Sequence, residues 1–327
     1  MTDTPGISGI PGILGIHHIT AIASDPQRNL DFYTRTLGLR LVKLTVNFDD
    51  PGTYHFYFGD EAGHPGTILT FFPWPRAPRG RQGTGQVTTV SFAIPQGALG
   101  YWQERLLSLG ISTAQPQRRF DEQFLSLADP DALPLELVAH PGAEARPGWS
   151  GGPIPAEHAI RGFAGATLTV DDYELTAALL TGSMGFRLAG QEGQRSRYEV
   201  GSGEGLAQID LVNAPELDEG IVAAGTVHHI AWRTPSDEQQ LAWRSDLLKY
   251  GLHVTPVQDR QYFHSIYFRE PNGILFEIAT DPPGFATDET PEGLGTHLKL
   301  PLWLEPQRTK LEGVLPKLRL PAAQETR

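Results

Sequence analysis

Two histidine doublets open short apolar runs of the same design: His17–His18 in GIHHITAIA and His228–His229 in VHHIAW, 211 residues further on. A carboxylate, Glu277, sits among apolar neighbours in GILFEIA, where burial without a partner would be costly. Two imidazoles and one carboxylate on a common face make a facial triad, the usual holder of a ferrous ion with open coordination positions. Mn(II) suits the same donors. The chain has no cysteine, so disulfides, thiolate zinc sites, iron–sulfur clusters and cysteine nucleophiles are excluded. A metal here must be held by His, Asp or Glu.

The elements that position these residues form an internal repeat. GIHHITAIAS lies on GFAGATLTVD, 147 residues later, without a gap through the following helix: Gly15 falls on Gly162, Thr20 on Thr167 and Gly38 on Gly185. Further copies start near Gly85 and Gly225. Each copy reads as an alternating strand, then a helix ending in glycine (TLGLRL, SLGIST, SMGFRL, KYGLHV), at spacings of 72, 75 and 66 residues. Glycine suits the left-handed position that closes a helix. Ser236 and Gln239 have the spacing of a capping box on the fourth helix. Three strand-like runs follow each helix. The fold expected is α+β: four βαβββ modules paired into two cup-like curved sheets.

The expected boundaries are a flexible lead over 1–14, an N-terminal half of two modules over 15–142, and a Pro/Gly-rich linker over 143–160. A C-terminal half of two modules follows over 161–283, then an extension over 284–327 that ends in a packed helix.

The repeat also sorts the candidate ligands. At the first-strand position the four copies carry His18, Thr89, Gly165 and His229; at the last-strand position they carry Thr70, Glu136, Asp210 and Glu277. Pairing the first copy with the fourth completes the set His18, His229 and Glu277, and no other pairing does. The outer copies are therefore expected to pack around the metal, leaving the inner two as an empty or degenerate cup with Glu136 as a relic of the repeat that faces solvent or meets an arginine. Alternation sends the two members of a doublet to opposite faces. If His18 faces the metal, so does Thr20, and His17 and His228 point away; register alone does not decide which member faces in.

In DRQYFHSIYFREPNG, Ser265, Tyr267 and Arg269 share one face. Tyr267 would donate a hydrogen bond to substrate or oxygen, and Arg260 would stabilise a developing oxyanion. The plainer reading of each is a sheet-capping tyrosine and a surface arginine. Phe56, Phe71, Trp74, Trp232 and Tyr262 are candidate pocket aromatics. His55, His64, His140, His158, His253, His264 and His297 show no ligand spacing, and GSGEGLA at 201–207 reads as a turn rather than a phosphate loop.

Composition sets the outer bounds. Of 327 residues, 39% are apolar and 20% charged, and 38 acids against 26 bases give a net charge of −12. That balance argues against nucleic acid or an anionic membrane as a partner. No apolar run reaches the roughly 20 residues of a membrane span, and the N-terminus lacks a secretory pattern, so a cytoplasmic protein is expected. A homo-oligomer is the commoner outcome for soluble enzymes.

The repeat with ligands on first and last strands resembles the vicinal oxygen chelate superfamily. More narrowly, GIHHITAIASDPQRNLDFYTRTLGLRLVKLTVNFDD, GTILTFFPWP, VHHIAW and SIYFREPNGILFEIATDPPGF resemble the ring-cleaving dioxygenases that open hydroquinones. The resemblance covers nearly the whole chain. It implies an extradiol-type, Fe(II)-dependent enzyme acting on a small dihydroxylated aromatic, hydroquinone or catechol, with O2 as co-substrate. The second histidine of each doublet is then the ligand, matching His18, His229 and Glu277. The resemblance also implies a pocket holding His17, Thr20, His228, Arg260 and Tyr267; a bulge at the strand start would reconcile His17 and His228 with alternation. Two rivals on the same scaffold are a metal-dependent glyoxalase-type lyase or isomerase and a metal-free, drug-sequestering binding protein. The lyase would want a second carboxylate where Thr70 stands.

Overall fold

The computed structural model describes residues 12–201 and 207–321. Most of the expected N-terminal lead and of the GSGEGLA turn lies outside the described residues. Module one contributes β1 (Ile16–Ala23), α1 (Pro26–Asp31), β2 (Arg40–Asn47), β3 (Asp50–Gly59) and β4 (Ile68–Pro73). Module two contributes β5 (Gln86–Ile94), α2 (Leu99–Ser108), β6 (Gln117–Arg119), β7 (Glu122–Ala128) and β8 (Pro134–Ala139). Module three comprises β9 (Phe163–Val170), α3 (Tyr173–Gly182), β10 (Arg187–Glu192), β11 (Arg195–Val200) and β12 (Ala207–Asn213). Module four comprises β13 (Val227–Thr234), α4 (Asp237–Lys249), β14 (Gln258–Asp259), β15 (Phe263–Arg269) and β16 (Leu275–Pro283), and α5 (Arg308–Val314) follows in the extension.

Among the described residues the strands form two eight-stranded sheets. One runs β14-β15-β16-β13-β1-β4-β3-β2, the other β10-β11-β12-β9-β5-β8-β7-β6. The outer modules therefore share one sheet and the inner modules the other, joined antiparallel through β1–β13 and β5–β9 respectively. Within each module the first strand lies parallel beside the last, as β1–β4 and β13–β16 do. That adjacency is what allows ligands on first and last strands to meet.

Local chemistry agrees with the repeat. The helix-ending glycines Gly38, Gly110, Gly185 and Gly251 all have positive φ, from +71° to +97°. Ser236 caps α4 by accepting from the Gln239 backbone N–H. One face of the outer sheet (Phe56, Phe58, Phe71, Ile230, Phe276) is fully buried in the main core. By period two, the other face must line the cup. The C-terminal extension reaches that face: Asp288 (2.6 Å) and Glu289 pair with Lys43 of β2, which is itself fully buried.

Candidate metal centre

His18, His229 and Glu277 meet on the concave face of the outer sheet, their potential ligand atoms all within 4.8 Å of one another. Register explains the meeting. His18 lies opposite Ala231, and Ala231 opposite Glu277, so two of the three occupy one row across β1, β13 and β16. His229 lies opposite Thr20, one step along the same face. The Nε2 atoms of His18 and His229 are 3.3 Å apart, and Glu277 Oε2 is 3.4 Å from the first and 2.9 Å from the second.

Each ligand histidine has its doublet neighbour behind it. His17 Nδ1 is 2.9 Å from His18 Nδ1, and His228 Nδ1 is 2.7 Å from His229 Nδ1. Each such contact needs one proton; carried by the ligand histidine, it leaves that residue's Nε2 as a bare lone pair. Glu277 is wholly buried. Its Oε1 accepts from Ser265 Oγ, while Oε2 accepts no well-formed hydrogen bond. With the ring protons on Nδ1, the two Nε2 atoms and Oε2 are three converging lone-pair donors that fit a cation, and they are of the right chemical kind for Fe(II) or Mn(II).

Burial alone would raise the Glu277 carboxyl; with no ion between them, the charge and hydrogen bonding of the His18 and His229 rings outweigh it and hold the group well below the usual carboxylate range. Burial lowers His229, with Glu277 opposing. His17 is lowered further, by burial and then by His18, and burial takes His228 down to about 3.

Beside the triad opens a cavity of about 470 Å³. His228, Arg260 and Tyr267 line it, as the resemblance implies. His17 does not; it lies behind the His18 ring and against Phe263, at centroid distances of 5.1 and 5.0 Å. The β1–β13 register does shift between Ile16 and His18, so a bulge exists at His17, yet it seats that ring behind its neighbour rather than in the cavity. Thr20 shares the ligand face but is fully buried, with its Oγ1 2.7 Å from Thr70 Oγ1.

Arg260 donates from Nε to the Tyr267 hydroxyl at 3.1 Å and pairs through Nη1 with Asp49 at 3.0 Å. Burial would weaken its charge, but Tyr267 and Asp49 more than restore it. Burial, then Glu277, push Tyr267 upward, so its hydroxyl keeps its proton at neutral pH and remains a donor.

The aromatic wall differs from expectation. Of the five aromatics proposed from the sequence, only Trp74 lines the cavity; Phe48, Tyr57, Phe72 and Phe263 supply the rest with Tyr267. Phe56, Phe71 and Trp232 are fully buried in the core instead, one residue out of phase with Tyr57, Phe72 and the cup face. Tyr262 hydrogen-bonds Asp288 at 3.1 Å. His55 and Asp49 also line the cavity, and neither was singled out in the sequence. Alternation on β3 held the signal for His55: it shares parity with Tyr57 and opposes the core residues Phe56 and Phe58.

The inner cup is neither empty nor merely degenerate. Glu136 accepts both terminal nitrogens of Arg119 at 2.9 and 2.8 Å and the Ser91 hydroxyl at 2.7 Å. Asp210 accepts from Arg197 at 2.7 and 3.0 Å and from Arg195 at 3.0 Å, and Arg197 also reaches Glu122 at 2.6 Å. Glu136 thus meets an arginine, one of the two outcomes open to it from the sequence, and anchors a buried ion pair. The space left is about 10 Å³.

Residues 15–137 and 162–278 match the model of the Glyoxalase/Bleomycin resistance protein/Dioxygenase superfamily. The chain belongs to this superfamily. It is 51% identical over 304 residues, covering 93% of this chain and 96% of the relative, to MhqO of Bacillus subtilis, provisionally named a ring-cleaving dioxygenase. It is 35% identical over 305 residues, 91% and 94% of the two chains, to the chlorohydroquinone/hydroquinone 1,2-dioxygenase of Sphingobium indicum. A crystal structure of a provisionally assigned dioxygenase from Bacillus subtilis superposes with a TM-score of 0.91 at 49% identity, covering 95% of this chain and 99% of that one. Glyoxalase I from Zea mays shares the fold, with a TM-score of 0.58 at 15% identity over 82% of this chain and 92% of that one. Among the described residues no helix is long and apolar enough to cross a membrane.

Proposed function

We propose that this protein is an Fe(II)-dependent dioxygenase that opens the ring of a small dihydroxylated aromatic. The observation that carries the reading is the unshared Glu277 oxygen facing two imidazole nitrogens beside a cavity of about 470 Å³ walled by aromatic rings. The names of the relatives support the substrate class. His18, His229 and Glu277 would hold the ion, with Mn(II) fitting the same donors; when bound, it would supply Lewis acidity and a path for electrons between ring and oxygen.

The chain's own residues have separable tasks. Phe72, Trp74 and Tyr57 take the flat faces of the ring out of water. The Arg260 guanidinium, steadied by Asp49, offers positive charge where a ring oxygen becomes anionic. Tyr267 keeps its proton and can donate a hydrogen bond to an oxygen atom that becomes anionic. His17 and His228 fix the orientation and tautomer of the histidines in front of them. The extradiol type and the cytoplasmic setting remain part of this proposal.

Thr70, where a second carboxylate would stand in the lyase reading, is committed to Thr20 and His55, which favours the dioxygenase. Oxygen uptake by anaerobically iron-loaded protein, against a panel of hydroquinones and catechols, tests the proposal. Uptake with a ring-opened product, absent in His229→Ala, is expected. Tight metal retention with no uptake on any ring would transfer the site to non-oxidative chemistry.

A further inference from the structure

His55 takes no part in the metal triad, yet it is held as a built feature of the cavity wall. Its Nε2 lies 2.9 Å from Thr70 Oγ1, which lies 2.7 Å from Thr20 Oγ1. Thr20 is opposite His229 in register and opposite Thr70 on the other side. The hydrogen-bonded chain therefore begins beside the triad and ends at the cavity. The His55 ring is clamped between Tyr57 and Phe72, at centroid distances of 4.0 and 4.4 Å, so its orientation is not free to wander.

With Nε2 committed to Thr70, Nδ1 has no partner in the described protein, and the ring's open edge belongs to the cavity. Half-buried in the cavity wall, this nitrogen is open to whatever fills the cavity, and a polar atom of a bound ligand can pair with it. Burial, then the charges of His18 and His229, keep the ring neutral. One nitrogen of a neutral imidazole donates and the other accepts. A hydroxyl group can meet either tautomer, since it does both.

Position then selects the ligand. β13 and β4 flank β1, so His229 and Thr70 stand about 10 Å apart at two strand spacings. A ring with one hydroxyl at the triad has its adjacent position on the same edge, facing the triad as well. Only a group at the opposite end of the ring projects across the cup toward His55.

We propose that His55 Nδ1 binds the hydroxyl para to the one held at the triad, and so selects 1,4-dihydroxylated rings over 1,2-dihydroxylated ones. The inference rests on the ring-cleaving reading for its ligand class, but it can fail separately. The test is equilibrium binding, by calorimetry without dioxygen, of hydroquinone, catechol and phenol to the metal-loaded protein. Wild type should bind hydroquinone about fivefold more tightly than phenol, the contribution of one neutral hydrogen bond. His55→Ala should bring hydroquinone down to the affinity of phenol while leaving phenol and catechol unchanged. His55→Gln, which keeps a donor and an acceptor, should restore part of the preference and serves if the alanine variant does not fold. Equal loss for all three ligands, or an unaltered hydroquinone-to-phenol ratio, would overturn the assignment and leave His55 as a wall residue. No turnover enters this measurement. A His55-dependent preference without oxygen consumption would sink only the dioxygenase reading, whereas oxygen consumption with a His55-independent ratio would sink only this one.

Discussion

The two cups are built from the same module, and each carries a carboxylate on the strand beside the central pair, yet their interiors have opposite chemistry. In the outer cup Glu277 faces two imidazoles, and its Oε2 accepts no well-formed hydrogen bond. In the inner cup Glu136 and Asp210 face guanidinium groups that occupy their oxygens. The difference lies less in the carboxylate than in what stands opposite. At the position equivalent to His229, module three has Gly165, and a Cβ there would lie 2.2 Å from the Gln208 carbonyl oxygen. No ligand side chain fits that place. Three arginines, Arg119, Arg195 and Arg197, then fill the interior and close it to about 10 Å³, against about 470 Å³ in the outer cup. A saturated carboxylate stabilises the fold; an unsaturated one can bind.

Reciprocal substitutions break this comparison most forcibly. Glu277→Gln should remove metal binding and ring cleavage together. Glu136→Gln should leave both intact while destabilising the fold by about 3 kcal/mol, because it leaves Arg119 short of a buried partner. That figure is at the low end because Asp210 still lies 3.1 Å from Arg119. Chemical denaturation alongside activity separates the two outcomes. Loss of activity in both variants through equal unfolding would erase the distinction between the cups.

Acid should act next. His17, His55, His228 and His229 are all held below the ordinary imidazole range, burial being the largest cause for each. In the unfolded chain each takes a proton near pH 6.5. The stability they contribute is therefore fully present above about pH 6.5 and is lost as pH falls below it, because the unfolded state then binds more protons. Glu277, also depressed, works in the same direction at lower pH: its contribution is present above the ordinary carboxylate range and lost as pH falls toward its folded value. Urea midpoints of the metal-free protein should be level above about pH 7 and decline steadily below about pH 6. A midpoint that stays flat down to about pH 4.5 would show that these rings are not buried neutral.

The smallest effects should come from behind the ligands. His17→Ala and His228→Ala each remove the group at Nδ1 of a ligand histidine, and metal affinity should fall by about 10- to 100-fold. Competition with a chelator measures this. Equal affinity in both variants and wild type would mean that the doublets are not orienting pairs.

Much of this is legible in the sequence. The four modules followed from the helix-ending glycines, and the pairing of outer modules followed from the demand that His18, His229 and Glu277 meet. The superfamily match and the two curved sheets agree with that reading. What escaped was set by strand parity and by distant sequence. Phe56 and Phe71 face the core while Tyr57 and Phe72 face the cup, because the period of two sends alternate residues to opposite faces. His55 lacked ligand spacing because its partners are threonines on other strands. The inner cup is legible in part, since Arg195 and Arg197 share parity on β11 beside Asp210, but the Arg197–Glu122 and Arg119–Asp210 pairs cross between modules, which no local pattern encodes. The Lys43 pairing with Asp288 and Glu289 spans 245 and 246 residues and was equally invisible.

Anaerobic titration of iron into the wild-type, Glu277→Gln and Glu136→Gln proteins tests the contrast between the cups most directly. One tightly bound ion per chain in wild type and Glu136→Gln, and none in Glu277→Gln, is the result this structure predicts. Iron retained after Glu277→Gln, or lost after Glu136→Gln in a folded protein, would contradict it.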